Sequence, residues 1–386
     1  MQTMKHRARS IRVNYLFGLI AVVFFLFLSG CAKDKSPSLN GYTHHDSDSL
    51  VKQFVSASFT GQEFIAPIRV DHGRIEAIAG WLTDDQLVYS TSKQTGGVVL
   101  TYQLTSGKSE VIYESPNPIV SIKISPSKEK VLIYTAPSTY EGKMVILSRD
   151  GEVLFKGNIA TYDISFEWNP YDENQLLIST YTENWEHESH LLNIKDEKMN
   201  KVELTEPFAN WLNQEELFYL NWQDESSSLF APLVKRGLTG QDETVLFDQV
   251  FRLMSYINLY TTITVDNQQS DQAIYTFYRH PKEKIASYTA PHLTRFSDWL
   301  VPFHDYNESK NVFFSLQPLY SGESDTYGGG FQLVSFDLEA QTTNTLMSQL
   351  NNEPISCSPN GEMCLYGNYY EKLIDLKQQK IIELMH

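Results

Sequence analysis

The sequence predicts an all-β protein, a β-propeller of four-stranded blades, and three observations predict it. A block of turn and strand recurs along the chain: Trp81 to Tyr89, Ile124 to Tyr134, Trp168 to Ile178 and Trp211 to Tyr219 begin 43, 44 and 43 residues apart. Aromatic residues are abundant, with 22 Tyr, 21 Phe and 6 Trp; that enrichment suits half-buried strands better than helices. Apolar residues alternate with period two between turn residues, and no stretch past residue 75 keeps a helical period. Units of four short strands at a period in the low forties define a propeller. A single blade cannot bury both faces, so blades stack around an axis and close a ring.

The chain starts with an export leader. Lys5, Arg7, Arg9 and Arg12 form its positive end, and Tyr15 to Leu28 its apolar core. Fourteen residues at 1.5 Å each span roughly 21 Å, short of a ~30 Å hydrocarbon layer. The core ends in Leu28-Ser29-Gly30-Cys31, two small residues before a cysteine, as a lipoprotein signal peptidase requires. Residues 1–30 are therefore expected to be removed, and Cys31 to carry the lipid that holds the protein on the extracellular face of a Gram-positive-type cell membrane. Two acyl chains on one cysteine give stable attachment. Residues 31–57 read as the lipidated cysteine and a flexible tether, with a short helix near Leu50–Phe54, and 58–386 as the propeller. His44, His45, Asp46 and Asp48 lie in the tether, where no scaffold fixes ligands.

Seven units follow: 75–115, 116–158, 159–206, 207–248, 249–290, 291–350 and 351–386. The fifth lacks the usual turn, and the loop Tyr320 to Gly330 lengthens the sixth. If those two are irregular parts of one blade, the count is six. Glu63–Val70 is apolar enough to add a strand to the last blade and close the ring.

The leader, the Ser358-Pro359-Asn360-Gly361 turn and the Trp168-Asn169-Pro170 turn resemble the YqgU-like propeller lipoproteins of Gram-positive bacteria. More distantly, the repeats resemble TolB-like and WD40-like propellers. The resemblance covers most of the chain and implies six blades. It implies no catalytic residue.

Two cysteines remain after Cys31: Cys357 and Cys364, flanking a turn. A four-residue loop, Pro359 to Glu362, places them directly opposite and within disulfide range; a three-residue loop ending in Gly361 offsets them by one. The alternative is a reduced pair in the sheet core.

Composition and motifs bound the function. The chain carries 47 Asp+Glu against 31 Lys+Arg, and four of those basic residues leave with the leader. So acidic a body is repelled by phosphate backbones, which argues against nucleic-acid binding. No Gly-x-Ser-x-Gly elbow, His-Glu-x-x-His, P-loop or dinucleotide fingerprint is present. The loop around Trp185, with His187 and His190, and the Tyr320 to Gly330 loop, with Tyr320 and Tyr327, are the candidate contact surfaces. No metal or cofactor is expected. Asp84-Asp85, Asp172-Glu173 and Glu215-Glu216 read as solvated turn residues. The expected role is non-enzymatic: a binding module for an envelope protein or a small ligand. The alternative is a carbohydrate- or peptide-processing enzyme with a carboxylate site in the channel. Convergent buried carboxylates or histidines would favour the enzyme, and aromatics on one rim would favour binding.

Overall fold

The computed structural model describes residues 64–70, 73–222, 228–240, 242–265, 271–296 and 298–385. The chain divides into two units, residues 1–60 and 61–386. The first unit, with the leader, Cys31 and the tether, lies outside the described residues.

Among the described residues, seven antiparallel four-stranded sheets, each with its strands paired in chain order, follow one another: 74–115, 119–159, 163–202, 210–250, 252–291, 304–350 and 355–383, here blades 1 to 7. They match the seven repeat units. The fifth unit is an intact blade, whose first turn, Ile257–Asn258, is closed by Asn258 at φ 56°. The sixth is longer than a blade because 293–294, 299–300 and 322–323 form an extra three-stranded sheet beside it.

Burial explains the patterning. Second strands such as Gln86–Ser92 are buried along nearly their whole length, because neighbouring blades cover both faces. Fourth strands such as Lys198–Val202 lie at the rim and are mostly exposed and polar. First strands line the axis.

Seven hydrophobic clusters fill the spaces between blades. Val88 and Val99 meet Val131 and Ile133 between blades 1 and 2. Ile146 meets Leu176 between blades 2 and 3, and Leu177 meets Trp211 between 3 and 4. Phe218 and Leu233 meet Tyr260, Phe277 meets Phe313, and Leu333 meets Ile374. Trp81 and Tyr102 meet Leu365 and Leu373, joining blade 1 to blade 7. A row of seven blades has six such spaces, whereas a ring has seven; the seventh closes the ring.

Closure uses no shared strand, since blade 7 is built from four consecutive strands. Residues 64–70 do not form the strand expected of them. They clip across the seam instead: Ile65 N–H donates to Leu104 O (2.9 Å) and Ile68 N–H to Leu384 O (2.9 Å). Tyr102 Oη donates to Ile65 O at 2.6 Å.

In five of the blades a polar residue at or just past the end of the first strand organises its turn. Asn169 Oδ1 accepts from Tyr171 N (2.9 Å), Asn213 Oδ1 from Glu215 N (2.9 Å) and Asn307 Oδ1 from Lys310 N (2.9 Å). Ser125 and Ser358 use their hydroxyls in the same way. Such local acceptors favour turns over continued strand. The turns also grip one another. Ser127 N–H and Oγ donate to Glu173 at 2.5 and 2.6 Å, and Asn360 N–H donates to Asp84 at 2.7 Å. Glu173 is thus a clasp between blades rather than a solvated turn residue, and Asp84, though exposed as expected, clasps a neighbouring blade as well.

Cys357 and Cys364 stand directly opposite in the first hairpin of blade 7, with Sγ atoms 2.01 Å apart. Ser358 N–H donates to Met363 O at 2.8 Å, which is the register of the four-residue loop.

Candidate functional site

Strand direction assigns every loop to one of two faces. Strands alternate in direction, so loops between second and third strands, and connectors between blades, emerge on one face. Loops between first and second strands, and between third and fourth, emerge on the other. We refer to these as the connector face and the turn face.

Nine exposed aromatic side chains are found among the described residues, and all nine lie on the connector face: Tyr140, Tyr162, Trp185, Phe208, Trp222, Phe296, Phe303, Tyr320 and Tyr369. Exposed aliphatic side chains such as Val111, Val153, Met199 and Val245 lie instead on outer strands. Over blades 2 to 4 the rings form a ladder. Centroids are 6.0 Å apart for Tyr140 and Tyr162, and 6.4 Å for Tyr162 and Trp185. Tyr181 continues it, 6.1 Å from Trp185 and 6.2 Å from Phe208. The Trp185 turn is closed by Thr182 N–H to Glu186 O (2.9 Å), with Trp185 in the left-handed region at φ 64°. That backbone leaves the indole 64% exposed. A non-glycine residue there is held at a cost of about 1 kcal/mol or more.

The axial channel opens on the turn face. Its mouth is a cavity of about 370 Å³ lined by the ends of first strands from blades 2 to 6, including Lys123, Phe166, Glu167, Trp168, Tyr256 and Tyr306. Glu167 is exposed to the channel but has protein crowded around it, and the resulting desolvation pushes its carboxyl up to about 7 against the opposing pull of Lys123. Asp305 sits near the axis and feels Lys128 of blade 2. Burial pushes it up to about 6, although Cys357 N–H (2.6 Å) and Tyr306 N–H (2.8 Å) donate to it. Burial pushes the Lys128 amine down, opposed by Asp305 and Glu173. His304, from the same strand as Asp305, is also lowered by burial, and its Nδ1 lies 2.9 Å from Pro302 O.

The Glu167 shift has a definite sign. A carboxyl raised on folding contributes stability that is complete below its unfolded pKa and is lost as pH rises through the folded value. For Glu167 the window runs from 4.5 to about 7. Measured against Glu167→Gln, the wild type is expected to lose stability across that window and to change little on either side. Urea midpoints taken at half-unit pH steps test this; a constant difference between the two proteins would remove the assignment.

Of the residues predicted from sequence, Trp185 and Tyr320 share the connector face. Tyr327 is half-buried and pins its own loop: its Oη accepts from Leu319 N (2.8 Å) and donates to Gly330 O (2.7 Å). His187 and His190 are three apart on the strand His187–Asn193, so they point to opposite faces and cannot share a ligand. Among the described residues no group of three His, Cys, Asp or Glu is placed to hold a metal. Sequence reading missed the other connector-face aromatics and all the channel residues. The aromatics had one legible signal: each lies in a second-to-third loop or an inter-blade connector.

Seven sheets in a ring about an axial channel define a β-propeller. The chain belongs to the YqgU-like 6-bladed β-propeller family, whose model matches residues 103–367. That stretch holds blades 2 to 6 complete, with the last strand of blade 1 and the first two of blade 7. The chain is 23% identical over 333 residues to the uncharacterized lipoprotein YqgU of Bacillus subtilis (strain 168), covering 86% of this chain and 89% of that one. The crystal structure of an uncharacterized protein from Listeria monocytogenes EGD-e superposes with a TM-score of 0.77 at 21% identity, covering 83% of this chain and 98% of that one. TolB from Acinetobacter baumannii is more distant, with a TM-score of 0.42 at 10% identity over 78% of this chain and 64% of that one. No helix among the described residues is long and apolar enough to cross a membrane.

Proposed function

We propose that the protein is a lipid-anchored, extracytoplasmic binding module whose connector face docks another envelope protein. The segregation of all nine exposed aromatics onto that face carries the reading. Apolar rings gathered on one side of a soluble body mark a contact surface, and aromatic anchors dominate the energetics of such surfaces. The anchor through Cys31 rests on the leader and on the lipoprotein relative. The described chain enters at Phe64 beside the third-to-fourth turn of blade 1, where Ile65 packs on Gly107. The chain therefore joins the propeller on the turn face, opposite the aromatic side.

The channel carboxyls favour the enzyme alternative less well. Both Asp305 oxygens accept backbone N–H groups, so Asp305 serves the fold. Glu167 and the exposed rim residue Glu308 are the other carboxyls of the mouth, whereas glycoside chemistry of the common kind needs two held on either side of the scissile bond.

A photocrosslinking residue at Phe208, in intact cells, is expected to capture a protein, and the capture to vanish when Tyr162 and Trp185 are both alanine. The same probe at Asp150, in an exposed turn of the opposite face, is the control. Equal capture from both positions, or capture indifferent to the two substitutions, would end this reading.

A further inference from the structure

The channel mouth holds donors that nothing in the fold uses. Trp81, Trp168 and Trp211 each end a first strand. Two of them bind the neighbouring blade alike: Trp81 Nε1 donates to Ser356 O at 2.8 Å and Trp211 Nε1 to Glu167 O at 3.4 Å. Each acceptor is the penultimate residue of the preceding first strand. By that pattern Trp168 would bind Lys123 O, but its Nε1 is buried with no partner, and its ring, 6% exposed, lines the cavity. Tyr256 Oη, from blade 5, is a second buried polar atom without a partner on the same cavity. An unpaired buried donor costs about 1–3 kcal/mol, so two at one mouth call for an acceptor.

Lys123 and Lys128 line the mouth and supply the positive charge an oxyanion needs, set against the carboxyls of Asp305, Glu173 and Glu308. Lys128 holds the left-handed region at φ 67°, a conformation that glycine would adopt without strain. Asp305, which faces Lys128, has both oxygens engaged by backbone N–H groups. Glu167 lies beside Lys123, and desolvation raises its carboxyl to about 7. Glu308 stands exposed at the rim. Phe166, Trp211, Pro126 and Pro170 give the cavity flat apolar walls. Its size is near the low end for small-molecule sites, about 300–1,000 Å³.

We propose that the channel mouth on the turn face binds a small organic carboxylate with a flat apolar body, its oxygens taken by Trp168 Nε1, Tyr256 Oη and the Lys123 and Lys128 amines. The site is separate from the aromatic face, so either can fail without the other.

Saturation-transfer NMR on the full-length protein in detergent tests it, with benzoate and 2-naphthoate as probes and 2-naphthamide as the neutral match. Transfer to at least one carboxylate is expected, with the amide several-fold weaker. Lys128→Gly, which suits the local backbone and keeps the fold, is expected to cut carboxylate transfer at least fivefold, and Trp168→Phe to weaken it as well. No transfer to either carboxylate, equal transfer to the amide, or transfer unchanged in a folded Lys128→Gly protein would overturn the proposal.

Discussion

Replacing Trp81 with alanine is expected to lower stability by about 3–5 kcal/mol, the range for deleting a large buried aromatic side chain. Trp81 is 1% exposed and packs with Leu365 and Leu373 of blade 7. Its indole also donates to Ser356 O across the seam at 2.8 Å. Elsewhere in the ring, blades follow one another along the chain. Blades 1 and 7 are joined only by packing, by a few hydrogen bonds and by the 64–70 clip. A loss there opens the ring as well as a cavity. Trp185→Ala, which removes an exposed ring, is the comparison and is expected within about 0.5 kcal/mol of wild type. Urea unfolding followed by far-ultraviolet circular dichroism measures both. A cost below about 1 kcal/mol for Trp81→Ala would show that the ring does not depend on this contact.

Asn307→Ala is expected to cost about 1–3 kcal/mol, since each buried hydrogen bond lost costs about 0.5–1.5 kcal/mol. Asn307 is buried at the end of the first strand of blade 6. Its Nδ2 donates to Ser358 O (3.0 Å) and Pro359 O (2.9 Å) of blade 7. Its Oδ1 accepts from Lys310 N (2.9 Å) and Ser309 Oγ (2.8 Å). Alanine removes one donor from each of two carbonyls on one blade, leaving Ser358 O with Gly361 N–H and Pro359 O with Ser309 Oγ, and it loosens the turn on the other. Asn307→Asp keeps the size and the acceptor but removes the donor, and it faces the two carbonyls with charge. It is expected to be at least as damaging as alanine. Urea midpoints rank the three proteins; an aspartate variant as stable as wild type would show that the inter-blade donor is dispensable.

The blades were legible because their signals are local. Trp81, Ile124, Trp168 and Trp211, followed by turn residues and an alternating strand, mark the same corner of four blades at an almost constant spacing. Counting units recovered seven even where the fifth lacked its expected turn. The channel was not legible. Period-two alternation says which residues share a face of a strand, but not which strand end reaches the axis. Lys128 and Asp305 are far apart in sequence and look like ordinary turn and strand polar residues. Only ring closure brings them together. The aromatic face was hidden for a related reason. Trp185 and Tyr320 stood out in distinctive loops, while Tyr140, Phe208 and Tyr369 sit in unremarkable ones; strand direction, accumulated around the ring, puts them on one side. Within the Glu63–Val70 segment, residues 64–70 help to close the ring, but as a clip and not as the strand their apolar character suggests. Its hydrogen bonds go to two different blades, which no single sheet edge could supply.

The clip has a mechanical meaning. A body tethered through its N-terminus receives any pull at residue 64, and the first links loaded are Ile65 to Leu104 and Ile68 to Leu384. Peeling them bares the one join that chain continuity does not protect. Under tension the wheel should therefore part between its first and last spokes before any single spoke unravels.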